Sequence, residues 1–395
     1  MLSETTFSSG ALNLKSKISS IEFTNRIRDN ILAIRKNSLG QFYEEIKEAD
    51  CIICSGSGRS LYSLNAAMSL FTRDQTALRK KVILTPDDPG FPGKNMYDAA
   101  KDLEKRYKKT LLLMNSGSGT SNDPLVMAQD LTIYIEEKKT DRFSMGLLTS
   151  NLESPLAAVT SRHGTVLQIK GRGKSKPSSV YSETGIMGDI FELGTLELLN
   201  MIIEAIIRDL NSNDVLKLCE EEFDIIGKII DANVDSETYL HVVDLLEKGT
   251  NVFLGGKGTA NQIAKMTGIR LFHIKSFLGD NVFMARGINT PRPRAGDVEI
   301  LISYSGESKS VLLWCDAVKK YNGSVLAITS NDKSTLAKHS DLQIFMPEEQ
   351  RMPRRFYTRA AYVLSPLPVK LAERLTERGL SLPEYILSWY HSITE

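Results

Sequence analysis

Short apolar runs alternate with helical periodicity along the chain, and most of the runs end in a turn rich in glycine and hydroxyl residues. Cys51 to Cys54 reads as a buried strand. It breaks into Ser55-Gly56-Ser57-Gly58-Arg59-Ser60, after which Leu61, Leu64, Ala67, Met68 and Phe71 recur at three- and four-residue steps, the period of a helix. Further strands are predicted over 81–85, 110–114, 144–148 and 165–169. Between them lie a polar helix over 95–108, a short helix over 124–129 and a helix opening near Pro155, while Pro86 to Gly93 is a turn-rich loop. Two helices precede the first strand, one through Ile18, Ile21, Phe23, Ile27, Ile31 and Leu32, the other through Leu39, Phe42 and Ile46. After a basic, polar loop over 171–183, a long apolar helix opens at Gly188-Asp189-Ile190-Phe191-Glu192 and runs through Met201 and Ile207.

The second half repeats the scheme. Strands are predicted over 252–254, 281–284, 298–303, 324–328 and 342–345, with helices following Gly255-Gly256-Lys257-Gly258-Thr259-Ala260 and Ser303-Tyr304-Ser305-Gly306-Glu307-Ser308. Set side by side, CSGSGRS and LGGKGTA, MNSGSGTSN and ISYSGESKS, LLTSN and AITSN fall in the same order, which marks an internal repeat. Short apolar strands joined by helix-length crossovers predict an α/β fold with parallel sheets covered on both faces. The expected organisation is N-terminal helices plus a first domain over 1–205, a helical link over 206–236, and a second domain with C-terminal helices over 237–395. In such sheets ligands sit beyond the carboxyl ends of the strands, where these turns converge.

Composition narrows the partners. Among 395 residues, 49 Lys and Arg balance 48 Asp and Glu, so no net field favours nucleic acid or an anionic membrane, and an anionic ligand must be met locally. No run reaches the roughly 18 apolar residues of a membrane span, and the stretch MLSETTFSSGALNLKSK has no apolar core of the signal-peptide kind. A cytoplasmic protein is expected. The four cysteines form no disulfide framework, and Cys51 and Cys54 have metal-ligand spacing but point to opposite faces of a strand; core thiols and no metal site are expected.

The turns Gly56-Ser57-Gly58-Arg59-Ser60, Ser116-Gly117-Ser118-Gly119 and Ser303-x-Ser305-Gly306-Glu307-Ser308 resemble the sugar isomerase (SIS) domain, over about residues 40–205 and 235–365. Within that superfamily the chain is most similar to the 6-phospho-3-hexuloisomerases, whose GSGRSG pattern and Met-Arg-Leu-Met-His stretch are split here between the two halves, the second supplying Arg270-Leu271-Phe272-His273. The resemblance implies two tandem three-layer α/β/α domains, each with a central five-stranded parallel sheet. It also implies phosphosugar binding through Ser55, Gly56, Ser57, Gly58, Ser60, Ser116, Ser118, Thr120 and Ser121 in the first half, and through Lys257, Ser303, Ser305 and Ser308 in the second. Gly188 to Glu192 matches the family's Gly-x-Leu-Phe-Glu stretch, which makes Glu192 the catalytic base. The second half has Phe356-Tyr357-Thr358-Arg359-Ala360 there and no glutamate, Thr259 in place of the arginine and Lys257 in place of the serine.

Aldose–ketose interconversion needs a base, a stabiliser for an enediolate oxygen and a grip on the phosphate. Glu192 is the candidate base, since a desolvated carboxylate titrates nearer neutrality; a carboxylate at a helix start also serves as a simple cap. Arg59 would stabilise developing negative charge; a cation at a helix N-terminus is otherwise poorly placed, so an anion is expected beside it. His273, with an expected pKa near working pH, is a candidate catalytic group or a core histidine. Neutral hydroxyl and N–H donors at 116–121 and 303–308 suit a phosphate that must be released again, and they are also ordinary turn chemistry. The activity expected is phosphosugar isomerisation without cofactor, in a homo-oligomer formed as a dimer or an internal pseudo-dimer. A sugar-phosphate-binding regulatory protein and an aminosugar-phosphate deaminase remain as alternatives.

Overall fold

The computed structural model describes residues 20–71, 81–171, 189–248, 251–287, 289–346, 353–380 and 382. The readings made on Ile18, Gly188 and residues 172–183 lie outside them. Strands β1 (Cys51–Gly56), β2 (Val82–Leu84), β3 (Thr110–Asn115), β4 (Phe143–Thr149) and β5 (Gly164–Gln168) form one sheet in the order β2-β1-β3-β4-β5. Strands β6 (Val252–Gly256), β7 (Val282–Met284), β8 (Val298–Ile302), β9 (Ser324–Thr329) and β10 (Leu342–Phe345) form a second, in the order β7-β6-β8-β9-β10. Every pairing is parallel, and the two sheets share one topology. The molecule is two three-layer α/β/α domains, each on a five-stranded parallel sheet.

Helices α1 (Ser20–Leu32) and α2 (Lys36–Glu48) precede the first sheet, and α3 (Gly58–Phe71), α4 (Met96–Arg106), α5 (Asn122–Lys138) and α6 (Pro155–Thr160) cross between its strands. The helix expected over 124–129 is longer than its apolar signal. Leu131, Tyr134 and Ile135 continue the buried face of Met127 and Ala128, while Val126 and Ile133 face solvent and blur the period. Helix α7 (Asp189–Ile207) is followed by α8 (Ser212–Asn233), whose Asn211 and Asp214 form a reciprocal capping box, and by α9 (Glu237–Glu247). In the second domain come α10 (Thr259–Phe277), α11 (Lys309–Lys320), α12 (Thr335–His339), α13 (Pro353–Leu364) and α14 (Pro366–Glu377).

The domains meet helix to helix. Helix α3 packs on both α7 and α10, and α13 packs on α7, α8 and α10, so the helix that follows the first strand of each domain contacts its counterpart. Every residue of α7 from Asp189 to Ala205 is buried, which explains why its sequence is apolar on all sides. Three of its buried residues are glutamates. Arg355 of α13 grips Glu204 through Nε (3.0 Å) and Nη2 (2.7 Å), and reaches Glu222 of α8 at 3.1 Å. Arg359 donates to Glu222 through Nε (2.6 Å) and Nη2 (2.9 Å), while Glu197 has no hydrogen-bond partner on either oxygen. All four cysteines are buried free thiols, and no helix among the described residues is long and apolar enough to cross a membrane.

Candidate functional site

Strand β1 delivers the chain into α3 at Arg59 and Ser60, directly against the start of α7. Arg59 Nη2 lies 2.8 Å from Asp189 Oδ1, and its Nη1 donates to the carbonyl of Met266 on α10 at 3.0 Å. The same Asp189 oxygen accepts from Arg270 Nε of α10 at 3.1 Å, and Asp189 Oδ2 accepts from Ser365 Oγ at 2.5 Å. One turn along α7, Glu192 Oε1 is 3.5 Å from Ser60 Oγ, and Glu192 Oε2 is buried without a hydrogen-bond partner. Arg59, Asp189, Glu192, Arg270 and His273 are all buried. Both domains therefore contribute to one charged cluster. The anion expected beside Arg59 is Asp189, and Glu192, Arg59 and His273 are brought to the same interface.

The expectation of a histidine poised near working pH is corrected. Burial, then the charges of Arg270 and Arg59, lower the His273 pKa from 6.5 to about 4, so the ring is neutral at neutral pH. Burial and the neighbouring Arg59 likewise lower Arg270 to about 10, against the opposing pull of Asp189 and Glu192.

A neutral polar shell stands behind the carboxylate. Asn115 Nδ2 donates to the Ser60 carbonyl at 2.8 Å and to Ser63 Oγ at 3.0 Å, and Asn115 Oδ1 accepts from Thr195 Oγ1 of α7 at 3.4 Å. Asn115 is the last residue of β3, so this shell joins Glu192's helix to the hydroxyl turn that follows. In that turn Ser116 Oγ accepts from the Gly119 N–H at 3.1 Å and meets Ser121 Oγ at 2.9 Å, while Ser118 and Thr120 pair at 2.8 Å. Ser55 is buried at the end of β1, with Gly56, Ser57 and Gly58 half-buried beyond it.

The second domain keeps the hydroxyl turn almost bond for bond. Ser303 Oγ accepts from the Gly306 N–H at 3.2 Å, and Thr329 relates to Asn331 as Thr149 does to Asn151, each accepting at 3.2 Å. Gly119 and Gly306 sit at φ +68° and +67°, where a Cβ would also land on Ser154 and Ser334 respectively, so both turns require glycine. One difference has a local cause. Glu307 accepts from the Thr335 N–H at 2.8 Å, and that bond lowers its pKa; the first domain has Pro155 there, which has no N–H, opposite Thr120.

The shell beside Glu192 is not kept. Register pairs Gly56 with Asn115 and Gly256 with Ile302. Where the first domain has Arg59, Ser60 and Ser63, the second has Thr259, Ala260 and Ile263; aligning Phe191 with Phe356 puts Tyr357 at Glu192 and Ala360 at Thr195. Thr259 Oγ1 instead meets Ser69 of α3 at 2.7 Å. Lys257 and Ser305 are exposed, Ser308 is half-buried and Ser303 is buried, all beyond the carboxyl ends of the second sheet. These four are not part of the charged cluster.

A groove of about 390 Å³ opens beside His273, walled by Tyr62, Lys265, Phe272, Phe283 and Met284. A wider one of about 910 Å³, holding Glu45, Lys109 and His163, lies at the opposite end of the first sheet, away from every hydroxyl turn. Among the described residues no group of three His, Cys, Asp or Glu could hold a metal ion. Sequence reasoning left Asp189, Asn115, Thr195 and Ser365 without a role. Asp189 stands within the stretch from Gly188 to Glu192; nothing in the sequence points to Ser365, whose partner is 176 residues away.

Residues 245–354 match the family described as SIS domain. The chain is 30% identical over 146 residues, 37% of its length, to an uncharacterized protein of Methanothermobacter thermautotrophicus, of which it spans 70%. It is 33% identical over 116 residues, 29% of its length, to the 3-hexulose-6-phosphate isomerase of Bacillus subtilis, of which it spans 60%. The solved tagatose-6-phosphate ketose/aldose isomerase of Escherichia coli shares the fold over 97% of this chain and 100% of its own, with TM-score 0.59 at 12% identity.

Proposed function

Because the chain belongs to the SIS-domain family, we propose that it is a phosphosugar isomerase with one complete catalytic site, set between its two domains, where Glu192 moves a proton between adjacent carbons through an enediolate. The observation that carries this is the buried Glu192 carboxylate, with one oxygen unpartnered, one turn along α7 from the Asp189 that holds Arg59 and Arg270 of the two domains, and close enough to act on the Arg270 charge. Glu192 Oε2 takes the proton from one carbon and returns it to the next. Arg59 and Arg270 stabilise the oxygen on which negative charge develops, held in place before the reaction as fixed donors in a water-poor site. His273, neutral, acts by hydrogen bonding. The turn from Ser116 to Ser121, with Ser55 to Gly58 beside it, binds the phosphate through hydroxyl and N–H groups. The named relatives act on 3-hexulose 6-phosphate and tagatose 6-phosphate, which makes a ketohexose 6-phosphate the first substrate to try.

The second half, with its hydroxyl turn kept and Tyr357 where the base stands in the first, supports a non-catalytic role in sugar-phosphate binding for that half. The test is proton exchange. In deuterated water with 3-hexulose 6-phosphate, the wild type is expected to incorporate deuterium at the substrate carbon, while Glu192→Gln abolishes incorporation and leaves binding nearly intact. Undiminished exchange in Glu192→Gln would remove Glu192 from the mechanism. A folded wild type without turnover on any phosphosugar would favour a regulatory binding protein, and ammonia released from a hexosamine phosphate would favour deamination.

A further inference from the structure

Asp189 occupies the position that the Gly-x-Leu-Phe-Glu stretch leaves open, and it makes more cross-chain contacts than Glu192 does. Its Oδ1 receives Arg59 Nη2 at 2.8 Å and Arg270 Nε at 3.1 Å, and its Oδ2 receives Ser365 Oγ at 2.5 Å. The donors come from α3, from α10 and from the residue before α14, so one carboxylate on α7 ties together both domains. Two buried guanidinium groups side by side repel one another, and burial together with the Arg59 charge weakens the hold of Arg270 on its proton; an anion between them is what makes that arrangement stable. Glu192 is the other carboxylate near them, and as the base it must be free to change its charge.

We propose that Asp189 is a positioning residue: it registers the arginines of the two domains against each other on the side of α7 that carries Glu192, so that both face the substrate oxygen together. The assignment rests on the isomerase reading for its catalytic meaning and on the geometry alone for its structural one. Arg59 keeps one further anchor, the Met266 carbonyl at 3.0 Å, so loss of Asp189 frees Arg270 more than Arg59. The site then holds one fixed cation in place of two.

The test compares Asp189→Ala and Asp189→Glu with the wild type, by crystal structure and by steady-state kinetics on 3-hexulose 6-phosphate. In the alanine variant the Arg270 guanidinium is expected to leave the side of Arg59, KM is expected to rise about tenfold or more, with a smaller change in kcat, and the glutamate variant is expected to restore most of both. If Asp189→Ala does not fold, Asp189→Asn takes its place in each measurement. Guanidinium positions unchanged from the wild type would overturn the proposal, as would displaced arginines with an unaltered KM. A wild type inert toward sugar phosphates would sink the isomerase reading instead, and the structures of the variants would still decide whether Asp189 registers the arginines.

Discussion

Asn115 and Ile302 stand at one register position of the two sheets, opposite Gly56 and Gly256 respectively, and only Asn115 is polar. Asn115 satisfies the Ser60 carbonyl, Ser63 and Thr195 together, and in the second domain the corresponding residues are the apolar Ala260, Ile263 and Ala360. The polar residue is therefore present in the domain whose long helix carries Glu192 and absent in the one with Tyr357 at that position. Asn115→Leu removes three hydrogen bonds; Ser63 Oγ still donates to the Ser60 carbonyl at 3.0 Å, so the cost falls mainly on Thr195 Oγ1, at about 1–3 kcal/mol before relaxation. The expected result is about tenfold lower kcat, with binding of the phosphate less affected and a lower melting temperature, read by steady-state kinetics and thermal unfolding.

His273 gives a direct probe of the arginine pair. Its folded pKa is about 4 against 6.5 when exposed, so the unfolded chain binds the proton first. The contribution of His273 to stability is intact above 6.5 and is lost as pH falls toward 4. In protein labelled at the histidine ring, its signal is expected to titrate near 4, and Arg270→Met is expected to raise that midpoint, because one of the two depressing charges is gone. A midpoint near 6.5 in the wild type would show that the ring is not under the arginines.

Glu299 titrates in the opposite sense. It stands on β8 in the second sheet, with Oε2 lacking a hydrogen-bond partner, and burial raises its pKa from 4.5 to about 8. The folded protein binds this proton more tightly than the unfolded chain, so stability declines as pH rises from 4.5 toward 8. Glu299→Gln is expected to flatten that decline, seen as denaturant midpoints that fall less with pH than in the wild type. A residual slope remains from Glu45, which burial raises to about 7 against the pull of its Thr165 hydrogen bond.

The Arg–Glu lattice between α7, α8 and α13 separates carboxylates paired to arginine from one that is not. Glu222 is fully buried and bound by both Arg355 and Arg359. Arg359→Met leaves that charge half-compensated and is expected to cost about 3–5 kcal/mol in urea unfolding. Glu197 is pushed well above the ordinary carboxylate range by burial and then by Glu222, against the pull of Arg355 and Arg359, and neither of its oxygens has a hydrogen-bond partner. Glu197→Gln, which breaks no hydrogen bond and removes a carboxylate beside Glu222, is expected to stay within about 1 kcal/mol of the wild type.

Much of this was legible in the order of residues. Strand, hydroxyl turn and helix recur at Ser55 to Ser60, Ser116 to Ser121 and Ser303 to Ser308, because the turn chemistry and the apolar period are local properties. The pairing of Arg59 and Arg270 on Asp189 was not, since it depends on how two separately patterned helices cross, α3 and α10. Nor was the neutral state of His273, which comes first from burial at the domain contact and then from the charges of Arg270 and Arg59. Glu307 shows the reverse case: its role as the partner of the Thr335 N–H becomes readable once Pro155 is seen to need none.

Helices α3 and α10 face each other as two copies of one helix would, yet one chain encodes both. In an assembly of identical protomers, any substitution enters both faces of the contact at once. Here Ser60 and Ala260, or Ser63 and Ile263, are free to diverge. One face carries buried Ser60 and Ser63 where the other has aliphatic Ala260 and Ile263, and the other contributes buried charge of its own at Arg270. A strict homodimer with both faces polar would bear the cost of burying those hydroxyls twice.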